Sequence, residues 1–124
     1  MQEENWQRKY ADRIGKAADA MRLRAFCLHR AEKYAESTQQ CDGFIQRFSD
    51  DPNVGDVLFL KSENLFLTDR LDDAIQAYRS FIASHGDHPR VPTSRLRTGQ
   101  VLFRQKKWSD AMQALAPLVA LSFS

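Results

Sequence analysis

The sequence predicts an all-α protein made of repeated, antiparallel helix pairs. Three observations carry that expectation. The 124 residues contain only 5 Gly and 4 Pro, too little punctuation for an all-β chain. Long stretches are dominated by Ala, Leu, Arg, Gln, Lys and Glu, the residues that lose least on entering a helix. And the chain writes nearly the same nine letters twice, RLDDAIQAY at 70–78 and KWSDAMQAL at 107–115. The length fits one domain, 1–124, and a hydrophobic content of 43% can fill its core.

The repeat extends beyond those nine letters. Ala74 and Ala111 lie 37 residues apart, and one period earlier stands Ser37. The same offset aligns Tyr34, Leu71 and Trp108, then Cys41, Tyr78 and Leu115, then Phe44, Phe81 and Leu118. Ile45, Ile82 and Val119 follow one residue on. Upstream, the small residues Ala25, Ser62 and Gly99 share a column, as do Leu28, Leu65 and Leu102, and Pro52 matches Pro89. A self-similarity of this length is the mark of a helical array.

Each unit holds two helical patterns. In the second unit Leu58, Ser62 and Leu65 fall on one face, and Ala74, Tyr78, Phe81 and Ile82 on the face of the next segment. TDRLDD separates them. Asp72 and Asp73 then sit in the first turn of the second helix, where the helix dipole favours negative charge. HGDHP closes the second unit and SDDPN the first, with Gly and Pro as stop signals. Neither helix can bury its apolar face alone, so the units must stack. The boundaries expected are 17–53, 54–90 and 91–124.

These columns resemble the tetratricopeptide repeat. That family places a small residue midway along its first helix, where Ala25, Ser62 and Gly99 stand. It places an alanine early in the second, matched by Ala74 and Ala111 and departed from by Ser37. Four positions later comes a large apolar residue, matched by Tyr78 and Leu115, with Cys41 smaller. An aromatic usually precedes the second helix, as Tyr34 and Trp108 do; Leu71 departs. The common period is about 34. A period of 37, with the extra residues in the loop before the next first helix, is similar to the variety found in bacterial envelope proteins such as the TolA-binding periplasmic protein and the outer-membrane assembly lipoprotein. The resemblance covers about residues 18–124 and implies a right-handed superhelix of about three units that binds a protein partner without catalysis.

Two ends depart from the pattern. Trp6, Tyr10 and Ile14 recur at helical spacing within residues 1–16, which predicts an N-terminal helix that either caps the first unit or, across Gly15, runs on into it. At the other end PLVALSFS leaves Leu118, Val119, Leu121 and Phe123 for partial exposure. Terminal repeats normally carry a polar outer face. Either the chain is a fragment of a longer array, the favoured expectation, or another copy covers this end as a homo-oligomer. Pro117 lies inside the last helix, where it is expected to kink or shorten it.

Charge and motif content narrow the function. A net charge of +2 with a pI near 8.7 is too mild for a nucleic-acid signature, and Arg22/Arg24, Arg95/Arg97 and Arg104/Lys106/Lys107 read as solvated helix faces. An RNA-binding groove would be interrupted by Asp56 and Glu63. The polar start MQEENWQRKYADR has no signal-peptide core, and ALAPLVAL is too short to span a bilayer. That makes a cytoplasmic site the default and a periplasmic one the expectation for a trimmed chain. Cys27 and Cys41 are expected as buried free thiols, with one disulfide between them as the alternative in an oxidising compartment. His85 and His88 flank Asp87, but a metal needs three or four ligands, so turn roles are expected, and no cofactor. No nucleophile elbow, phosphate loop or H-E-x-x-H helix is present, which argues against an enzyme.

What is left is a surface. The resemblance implies that the first helices line the concave side. The residues beside their core stripe are Arg22, Phe26 and His29, then Phe59, Glu63 and Phe66, then Leu96, Gln100 and Phe103, flanked by Arg30 and Arg104. Aromatic anchors among charges suit a groove for a peptide or helix. Phe59 is the better groove candidate, whereas Phe66 and Phe103 are expected to pack on the neighbouring first helix. The Lys and Asn array by which one subclass of the family clamps a C-terminal carboxylate is missing, so that ligand is not expected.

Overall fold

The computed structural model describes residues 2–121, and every described element is a helix: α1 (Gln2–Arg30), α2 (Tyr34–Arg47), α3 (Val54–Leu67), α4 (Leu71–Ser84), α5 (Val91–Arg104) and α6 (Trp108–Leu121). Five of the six are 14 residues long. Their starts repeat at the sequence period: Tyr34, Leu71 and Trp108 open the second helices, and Val54 and Val91 open first helices. Residues 17–30, the equivalent first helix of unit one, form the C-terminal half of α1. Three-residue turns fold each first helix back on its second, and six-residue loops lead to the next unit. Each helix packs on the next, and α1 also reaches α3. The result is a tetratricopeptide-like helical superhelix.

The turns repeat with the helices. Glu32, Asp69 and Lys106 adopt φ of 63°, 59° and 61°, one period apart. In each turn the following amide closes a long bond back into the helix: Lys33 N–H to Leu28 at 2.8 Å, Arg70 N–H to Leu65 at 2.9 Å, Lys107 N–H to Leu102 at 2.9 Å. The left-handed residue donates three back, to His29, Phe66 and Phe103. This is the Schellman closure, a place glycine usually fills because it has no Cβ to clash.

The small-residue column is where paired helices come closest. Ala25 and Ser62 are completely buried. A Cβ built on Gly99 would lie 2.3 Å from Leu115 Cδ2, so the third unit tolerates no side chain there unless Leu115 moves. The opposing column, Cys41 and Tyr78, is buried with Phe44 and Phe81 beside it. Burial pushes the Cys41 thiol up to about 12. Both cysteines are free, and Cys27, expected inside, is exposed. It occupies the column of Asn64 and Val101, which are buried because a second helix precedes theirs; among the described residues none precedes α1.

The ends resolve two open points. α1 runs through Gly15 as one helix of 29 residues, roughly 43 Å at 1.5 Å per residue. Trp6 and Tyr10 stack at 5.4 Å on its projecting half, 64% and 49% exposed. Pro117 lies inside α6, which still reaches the 14 residues of its counterparts. Phe123 lies outside the described residues.

The left-handed turn residues generate a stability prediction. A non-glycine residue pays about 1–2 kcal/mol there, and glycine returns about 0.4–1 kcal/mol of that through unfolded-chain entropy. Lys106→Gly should therefore stabilise by about 0.5–1 kcal/mol in urea melts. Asp69→Gly should gain less, since Asp tolerates this conformation better than Lys.

Candidate functional site

The first helices carry a cavity of about 410 Å³, lined by Phe26, His29 and Arg30 from α1, Asp56, Phe59, Leu60 and Glu63 from α3, and Arg90 from the loop before α5. Five of the residues singled out from sequence meet here. Leu60 belongs to the core cluster beneath, and Phe26 packs against that cluster. Phe59 lines the cavity and also packs at a tilt on Tyr78 and Phe81, at ring separations of 6.3 and 5.8 Å.

Both carboxylates of the cavity are already engaged. Glu63 accepts from the Tyr78 hydroxyl and from Arg97 Nε at 3.2 Å. The Tyr78 pKa is raised, by burial first and then by that bond to a carboxylate. The Arg97 guanidinium also lies over the Phe66 ring at 5.0 Å, with Arg104 at 5.7 Å. Asp56 Oδ1 accepts a hydrogen bond from His88 Nε2–H at 2.6 Å, while His88 Nδ1 accepts one from the Arg90 amide at 3.0 Å. An Nδ1 that accepts carries no proton, so His88 is the neutral Nε2–H tautomer and the contact is a hydrogen bond to a carboxylate. His85 and His88 further pack on Gly55, whose added Cβ would meet them at 3.0 and 3.1 Å. This loop braces the start of α3. Arg30 and Arg90 are exposed and form no ion pair among the described residues.

A buried polar relay fixes His29. Ser37 Oγ donates to the Ala25 carbonyl at 2.8 Å. Its single proton spent, it must accept from Asn64 Nδ2, 2.8 Å away. That orients Asn64 Oδ1 toward His29 Nδ1 at 2.7 Å, so Nδ1 bears the proton and Nε2 is left over. Asn64 is 1% exposed and Ser37 completely buried, so each bond replaces one that water would otherwise supply. Ser37, the departure in the alanine column, thereby ties α1, α2 and α3 at the cavity wall.

The remaining candidates spread along the same side. Arg22 is half-buried near Asp19, at 3.8 Å. Leu96 and Gln100 are exposed on α5. Phe66 is half-buried under the two arginines. Phe103, expected to pack on a neighbouring first helix, is 63% exposed, because among the described residues no helix follows α6 to cover it. Arg97, Arg90 and Asn64 were not foreseen. Arg97 could have been found: its column otherwise reads Leu23 and Leu60.

Residues 65–122 match the family model of the tetratricopeptide repeat. No curated protein matches the chain. Repeats of this family generally mediate protein–protein contact and are not catalytic. The described residues contain no group of three or more His, Cys, Asp or Glu able to hold a metal, and no described helix is long and apolar enough to cross a membrane.

The relay makes a prediction that the repeat itself supplies. The next junction carries Ala74 and Val101 in the columns of Ser37 and Asn64. Ser37→Ala alone strands the Asn64 amide and should destabilise by about 1–3 kcal/mol. Adding Asn64→Val removes the stranded group and should recover at least half of that loss, giving strong coupling in a double-mutant cycle.

Proposed function

We propose that this chain is a non-catalytic interaction module whose α1–α3–Arg90 cavity takes an apolar side chain and a carboxylate from an extended or helical segment of a protein partner. The observation that carries the proposal is the charge state of the cavity. Its two acids are bonded inward, to Tyr78, Arg97 and His88, while Arg30 and Arg90 line it as exposed groups that form no ion pair among the described residues. The phenyl faces of Phe26 and Phe59 lie between them. Such a lining steers and orients an acidic segment, and the aromatic rings anchor it. His29 Nε2 adds one fixed acceptor.

The same observation shifts the reading from nucleic acid toward protein. The net charge is only +2, and the arginines near Phe66 lie over its ring. The 37-residue period keeps the bacterial-envelope variety of the repeat as part of this proposal. A second reading, self-association through the chain ends, is favoured by the exposure of Trp6, Tyr10 and Met112.

The test needs variants that leave the fold alone. Glu63→Arg would strand the Tyr78 hydroxyl, and Phe59→Ala would open the core beside Phe81, so neither isolates the groove. Arg30→Glu with Arg90→Glu changes exposed groups only. Segments selected from a displayed peptide library on the wild-type chain should be acidic and aromatic. Their affinity for the double variant, read by fluorescence anisotropy, should fall about tenfold or more, equivalent to about 1.4 kcal/mol, with an unchanged melting temperature. Equal affinity for both chains contradicts the groove.

A further inference from the structure

Three residues of each unit form the edge that the next unit covers. In unit two they are Phe66, Leu71 and Ile75. They pack in one cluster with Val101, Leu102 and Ala111 of unit three, and Ile75 is left 6% exposed. One period on, the same edge is Phe103, Trp108 and Met112, exposed by 63%, 53% and 67%. Phe103 and Trp108 meet edge to face at 5.4 Å, so the patch is continuous. Its chemistry is that of an internal interface.

The complementary half is also on this chain. The α5 columns that lie against α4 contain Val91, Ser94 and Val101, all buried. Two periods earlier those columns are Ala17, Ala20 and Cys27 on α1, all exposed. Leu23, beside them, is 55% exposed where its counterpart Leu60 is 3%.

We infer that a second copy of this chain occupies the α6 edge, with the outer face of its α1 standing where α5 stands on α4. The occupant is singled out by continuity with the internal interface: both halves are present, in the columns that already pair twice within the molecule. The contact is heterologous, joining different faces of the two copies, so growth is not closed at a dimer. This is distinct from the groove, which lies on the α1 and α3 side chains facing the cavity and stays accessible in the stack.

In the internal junction Ile75 and Val101 share a cluster. Their equivalents across copies are Met112 and Cys27. Cys41 is buried and its thiol is held protonated, so Cys27 is the thiol available at the surface. The experiment is Met112→Cys treated with a short bis-maleimide and resolved on a denaturing gel. The expected result is a ladder through trimer and beyond, lost in Cys27→Ser with Met112→Cys. Light scattering of the wild-type chain should show mass rising with concentration, abolished by Met112→Glu at an unchanged melting temperature. A crosslinked dimer that persists without Cys27 would mean that two α6 edges face each other, and would overturn the head-to-tail arrangement. A wild-type mass fixed at the monomer across concentrations would overturn self-association altogether.

Discussion

A 14-residue helix pair joined by three residues has more apolar surface than it can bury by itself. Everything in this fold follows from that constraint. The first and second helices bury one side of each other through the columns of Ala25, Ser62 and Gly99 against Cys41, Tyr78 and Leu115. The other side has to be covered by the next unit. Hence α3 packs on α1, α2 and α4 together, and the middle unit has the most deeply buried side chains. The same constraint leaves Phe103, Trp108 and Met112 exposed among the described residues.

The groove is a by-product of this stacking with a particular chemistry laid over it. Side-by-side first helices leave a trough, and the floor of the trough is whatever the core columns do not consume. Here two phenyl rings are left at its surface. Its acids are turned inward by partners from α4, α5 and the loop before α5, so cross-unit bonds both hold the units in register and strip the groove of negative charge. Glu63 makes two of these bonds: the one to Tyr78 satisfies a buried hydroxyl, and the one to Arg97 ties α3 to α5.

Architecture was legible in the sequence because it is written three times. Each column constrains the same contact in each unit, so matching sizes at 37-residue spacing translate directly into helix positions and turns. Helix starts recur at that spacing at Tyr34, Leu71 and Trp108, and the small-residue column lies buried between paired helices. What could not be read was anything that depends on a pair of departures meeting across units. Ser37 is a flaw in an alanine column and Asn64 a polar residue in an apolar one, yet together they form a satisfied relay. Arg97 in a leucine column and Glu63 one unit earlier make a second such pair. Five of the residues that line the cavity were nameable from their register. Exposure at the ends was harder, since a column predicts burial only where a neighbour exists to provide it: Cys27 and Phe103 occupy core-like columns and lie open.

Native-state hydrogen exchange read by mass spectrometry tests this account most directly, because it reports stability element by element. If shared faces hold the array together, amides of α3 exchange slowest, those of α2 and α4 next, and those of α6 faster. Residues 2–16, which project from the stack without a second helix against them, exchange fastest of all. Equal protection of 2–16 and α3, or greater protection of α6 than of α3, would contradict the claim that stability flows from unit-to-unit burial.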